Sequence, residues 1–163
     1  MSGLRAAAFA AATGLALLQG CANPGAGVPV AYTVVENGDP ASAQGTAREI
    51  LRHLAAGELR EAAALSNAPG RRYEVLQDYR KAVGDEEFRR VYAQYASPAN
   101  RVVQEIALGE RRLVIWQLGK AGDHLAGQFF VMQDGRFVTD DVPGEARSRL
   151  VQYLRAYRRK AKP

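Results

Sequence analysis

Two runs of four residues, Leu113-Val114-Ile115-Trp116 and Phe129-Phe130-Val131-Met132, are apolar at every position. Their flanks alternate with period two, so both read as β-strands, whose successive side chains point to opposite faces of a sheet. A sheet with one wet face would place a polar residue at every second position. These strands do not, so both faces must be covered and the rest of the chain has to supply two covers.

Around those runs, "RVVQEIALGERRLVIWQLG" (101–119) reads as two strands about a Gly109-Glu110 turn. "HLAGQFFVMQDGRFVTDDV" (124–142) reads as two more about Asp134-Gly135, a strong hairpin dipeptide. N-terminal to this antiparallel meander the period is helical. Asp39 can cap and Pro40 can fill a first helical position. Ala47, Ile50, Leu51, Leu54 and Ala55 then form one stripe up to Gly57, and Leu59, Ala62, Ala63 and Leu65 form a second, which predicts a helical hairpin. Tyr73, Leu76, Tyr79 and Val83 make the next face. Behind Gly84, with Asp85 as cap, come Phe88, Val91, Tyr92 and Tyr95, stopped at Ser97-Pro98. The tyrosines have the chemistry of a stacking platform, but at this spacing they read as amphipathic core. After Pro143, residues 144–160 carry Leu150, Val151, Leu154 and Tyr157 as an apolar stripe among arginines. The fold class is therefore α+β: N-terminal helices packed on a curved meander of about four strands, plus a C-terminal basic amphipathic helix. The helices offer one cover and the last segment another, with a second copy of the chain as a further source.

The single cysteine, Cys21, has no partner in the chain for a disulfide, so it pairs between chains, stays free or is modified. It follows one basic residue, Arg5, and the apolar run "AAAFAAATGLAL" (6–17), too short to span a bilayer, which needs about 20 residues. Residues 1–20 therefore read as a cleaved signal peptide. "LQGC" (18–21) resembles the lipobox of bacterial lipoproteins, with Leu18 at the apolar position, small Gly20, and Gln19 where Ala, Ser or Thr is more usual. That resemblance implies diacylglycerol on the Cys21 sulfur, cleavage before it and acylation of the new amine. Ala22, where an aspartate would signal inner-membrane retention in the enterobacterial pattern, implies the outer membrane, periplasmic side. Several acyl chains on one residue make release very slow. Residues 21–38 then serve as lipidated cysteine and tether or arm: "ANPGAGVP" (22–29) is too small and glycine-rich to bury surface, and spans under about 30 Å. Residues 30–35 form a short strand or an ordered arm. Residues 39–163 make one α+β domain.

Helical hairpin, further helices and a meander, with the Leu-x-x-Gly-Glu break at Leu54–Glu58, resemble the nuclear transport factor 2-like (cystatin-like) fold over residues 41–142. Some members of that family are isomerases, cyclases or dehydratases that use Asp, His or Tyr inside a cone. The resemblance implies a pocket on the concave sheet face, with Tyr92, Tyr95, Trp116, His124 and Asp140 as its candidates and Asp123 and Asp141 beside them. The terminal helix is an addition to that fold, placed to cover a sheet face or to fill the cavity. Read from their context alone, His124 belongs to a turn, Asp140 and Asp141 to caps or a loop, and His53 to the boundary of its helix's apolar stripe.

Two histidines far apart and no clustered carboxylates lack ligand spacing, and no phosphate loop or nucleophile triad occurs, so no metal, cofactor or catalytic residue is expected. Charge says more. The chain carries +5; without Arg5 that is +4, while residues 144–163 hold seven basic residues against Glu145, or +6, leaving about −2 elsewhere. The basicity sits in Arg155, Arg158, Arg159, Lys160, Lys162 and their neighbours. Outside the cytoplasm nucleic acid is not an expected partner. Anionic lipid or an acidic envelope protein is, and the expected role is non-catalytic binding or scaffolding at the membrane, with a small-ligand carrier or enzyme as the alternative.

Overall fold

A computed structural model of the chain describes residues 41–119 and 124–161. The expected signal peptide, Cys21, the tether, Asp39, Pro40, Asp123 and Lys162 lie outside them. Helices α1 (Ala43–Ala56) and α2 (Leu59–Ala64) form the hairpin, followed by α3 (Pro69–Val83) and α4 (Asp85–Tyr95). Strands β1 (Arg101–Leu108), β2 (Arg111–Leu118), β3 (His124–Gln133) and β4 (Arg136–Thr139) pair antiparallel in the order β1-β2-β3-β4, and α5 (Glu145–Ala161) ends the described chain. The architecture is α+β, helices first and sheet second, with a C-terminal helix.

Two caps differ from the sequence reading. Ser42, immediately before the fully buried Ala43, caps α1 by accepting the Gly45 amide on Oγ at 3.0 Å. Asp85 is the first residue of α4, and the cap falls to Gly84, whose φ of 89° lets the chain reverse after α3. The Asp85 carboxylate pairs instead with Arg80 and with Arg89. Gly57 ends α1 in the left-handed region, φ 80°, with its amide on Leu54 O and the Glu58 amide on His53 O.

Register sorts the doubly apolar strands onto two covers. Val114, Trp116, Phe130 and Phe137 face the N-terminal helices and pack with Ala47, Ile50, Leu54, Leu76 and Phe88. Leu113 and Ile115, with Ile106 of β1, face the other way and are closed by Leu150 and Leu154 of α5. Each such side chain contributes about 1.5–3 kcal/mol by leaving water. Gly127 of β3 is what lets α5 lie down: a Cβ there would overlap Leu154 Cδ2 and sit 3.1 Å from Leu113 Cδ1. Of the two places open to the terminal helix, it takes the outer sheet face and leaves the concave face to the other helices.

The sheet is not closed. β4 pairs only with Phe130–Gln133, so residues 124–129 of β3 have no strand on that side. Beyond β4 the edge continues through Leu65–Asn67, with Thr139 N donating to Leu65 O at 2.8 Å and Asn67 N to Thr139 O at 3.0 Å. His124 is the first residue of β3, paired with Leu118, rather than part of a turn, because β2 extends far enough to hold it in register.

Candidate functional site

The inner face of β2 and β3 carries a hollow beside α4. Trp116 and Leu118 of β2 and His124, Ala126 and Gln128 of β3 share that face by register. Opposite Trp116 stands Ala126, whose methyl fills little of the space beneath the indole. With Leu51 from α1 and Tyr92 and Tyr95 from α4, these residues line a hollow of about 210 Å³. The indole is fixed by Trp116 Nε1 donating to Gln128 Oε1 at 2.8 Å. Tyr92 is braced by Phe88, with ring centroids 4.7 Å apart, and meets Tyr79 and Tyr95 at 6.3 and 6.1 Å. Burial pushes the Tyr92 phenol above its ordinary pKa, Tyr79 adds to the rise, and Arg72 opposes it.

A second hollow of about 410 Å³ shares Leu51, Tyr92 and Gln128 with the first and runs to the bare edge of β3. Its far wall is polar. The buried Asp140 carboxylate accepts from Arg111 Nε at 2.9 Å and from Asn67 Nδ2 at 2.9 Å. Asp141 accepts two bonds from Arg72, at 2.8 and 2.7 Å, and one from Ser66 Oγ at 2.7 Å. Arg147 Nε donates to Asp140 O at 2.8 Å, with its guanidinium carbon 5.1 Å above the Phe129 ring. Such charge-assisted pairs tie α3, β2 and the approach to α5 together.

Of the candidates read from sequence, Tyr92, Tyr95, Trp116 and His124 meet at the first hollow, and Asp140 lines the second. Asp140 and Asp141 lie in the loop between β4 and α5, as their context indicates, and there they are ion-paired, because Arg72 and Arg111 arrive from elements far away in sequence. His53 sits at the edge of the apolar stripe of α1, as expected, its side chain 14% exposed and 2.6 Å from Glu58. Tyr79 and Tyr95 depart from the core reading: both sit at the rim of the helical layer, 36% and 43% exposed. Arg155, Arg158, Arg159 and Lys160 are exposed on the last turns of α5, and Arg158 Nε donates to Leu125 O at 3.0 Å. Arg72, Gln128 and Arg147 line the hollows with no local motif to mark them, and Leu51 stands out in the sequence only as part of an apolar stripe.

A third hollow, about 560 Å³ beside α2 and α3, is lined largely by charges of both signs, among them Glu58, Arg60, Arg80 and Asp85. Among the described residues no three His, Cys, Asp or Glu side chains form a metal-ligand group, and no helix is long and apolar enough to cross a membrane. No family model, curated protein or solved structure matches the chain.

Proposed function

We propose that the chain is a lipid-anchored, non-catalytic binding protein of the cell envelope, held by acylated Cys21 at the periplasmic side of the outer membrane, with the hollow under α4 as its ligand site. The convergence of Tyr92, Tyr95, Trp116 and His124 on an open recess carries the binding role, since α5 covers the opposite face and leaves this one accessible. Binding is favoured over catalysis because the nearby carboxylates, Asp140 and Asp141, are already engaged by arginines. An apolar recess with one indole and two phenols suits a flat or chain-like apolar molecule. The exposed cations of α5 would orient the tethered domain against phosphates of the bilayer.

Trp116 is the sole tryptophan, so its emission reports the recess without competing signal. Titration of the mature chain with the uncharged dye N-phenylnaphthylamine should quench Trp116 saturably. Ala126→Phe, which fills the space beside the indole, should abolish the effect. Dye binding that leaves Trp116 emission unchanged would refute the site. Detergent partitioning of the natural precursor against Cys21→Ser tests the anchor separately: the variant should move to the aqueous phase.

A further inference from the structure

We infer that the ligand is a single-chain amphiphile with one negative head group, an acyl carboxylate, whose tail lies against Trp116 and whose head meets Arg147. The inference rests on the recess being the binding site and adds the chemical class. The two hollows adjoin, with Leu51, Tyr92 and Gln128 in the walls of both, and they differ in character. The inner one is walled by Leu51, Trp116, Leu118 and Ala126 and holds the volume of about seven waters, room for a short alkyl chain. The outer one is lined by Arg72, Arg147, Asp140 and Asp141; Arg72 pairs with Asp141, and Asp140 is neutralised by Arg111 from outside the lining, leaving the charge of Arg147 in excess.

Arg147 is placed and pre-oriented for that task. Its Nε–H is taken by the Asp140 carbonyl and its plane rests over Phe129, so the side chain is held while the other N–H donors of the fork remain to offer a carboxylate. One surplus positive charge matches one negative head. A dianionic head would be under-neutralised, and an uncharged one would leave the guanidinium unanswered beside an apolar wall. The mouth lies where β4 stops short, so the head reaches it without crossing the core.

The test uses the mature chain and Trp116 emission, with N-phenylnaphthylamine as the displaced probe and decanoate, decanol and acetate as competitors. Decanoate should displace the dye at about a tenfold lower concentration than decanol, the advantage of one charge-assisted bidentate contact. Acetate should not displace it. Arg147→Gln should remove the advantage of decanoate and leave decanol unchanged, which also shows that the variant is folded. Equal competition by decanoate and decanol in the wild type, or an advantage that survives in Arg147→Gln, overturns the carboxylate assignment while leaving the recess in place. Absence of dye binding at Trp116 would instead remove the recess reading, a separate outcome. If Arg147→Gln does not fold, the wild-type ratio still decides.

Discussion

The carboxylate of Asp140 is completely enclosed and lies 2.9 Å from Arg111 Nε, while the Arg111 side chain keeps 32% of its surface in water. Removing the acid strands a half-wet cation and also orphans Asn67. Asp140→Ala should cost about 3 kcal/mol, the lower end of the range for breaking a buried pair, because Arg111 retains solvent. The measurement is urea unfolding. The pair Glu87–Arg90 is the control: both side chains are largely exposed, so Glu87→Gln should leave the midpoint where it is, despite the hydrogen bond from Arg90 that holds the Glu87 carboxyl below its usual range.

Gly127 and Leu154 form a coupled pair. Gly127→Ala should destabilise by roughly 1–3 kcal/mol through overpacking, and Leu154→Ala by about 2–5 kcal/mol through lost burial. Because the alanine methyl occupies space that the leucine vacates, the double variant should cost clearly less than the sum of the two. A double-mutant cycle in chemical unfolding reads this directly, and simple additivity would mean that α5 does not press on the sheet at that point.

Tyr92 sets an alkaline limit. Its phenol is raised in the folded chain by burial first and by Tyr79 second, so above about pH 10 the unfolded chain releases its proton before the folded one does. That contribution to stability is complete below the unfolded pKa and is lost as pH climbs through the folded value. Wild type should therefore lose stability on the alkaline side more steeply than Tyr92→Phe. Parallel thermal melts between pH 8 and 11 check it, and superimposable curves would contradict it.

The exposed cations of α5 should act at a surface. With its apolar stripe committed to the sheet through Leu150 and Leu154, the helix can meet a bilayer by charge but not by insertion. At about 1 kcal/mol for each well-placed cation, the triple change Arg155→Gln, Arg159→Gln and Lys160→Gln should remove most affinity of the Cys21→Ser chain for anionic vesicles at low salt. Raising the salt should do the same to the unsubstituted helix. Equal sedimentation of both forms with vesicles would contradict it.

Much of this fold is legible because it is written in short-range periods. The tyrosine-bearing faces of α3 and α4, the Asp134-Gly135 turn with both residues at positive φ, and the doubly apolar strands all announce themselves within a dozen residues. The demand for two covers was also visible, but not which face α5 would take, since that depends on Gly127 meeting Leu154 across the sheet. The site divides the same way. Tyr92, Tyr95, Trp116 and His124 stand out as aromatic or titratable residues on periodic elements, and register brings them together. Arg72 and Asp141 are separated by 69 residues, and Asp140 reaches Arg111 only through the tertiary fold, so nothing local pairs them. Capping was misplaced by a few residues, because Ser42 and Asp39 are chemically equivalent acceptors and the burial of Ala43 decides between them.

The abrupt end of β4 has a cost as well as a use. Along residues 124–129 of β3 no strand pairs on the side away from β2, apart from Asp140 N donating to Phe129 O at 2.9 Å, and such an edge is a template for a foreign strand. Arg158 answers part of that hazard by plugging the Leu125 carbonyl with its own guanidinium and planting a charge beside the bare backbone. A fixed cation on an otherwise open strand is one of the devices by which proteins discourage edge-to-edge pairing, so the C-terminal helix guards the border of the sheet as well as covering its outer face.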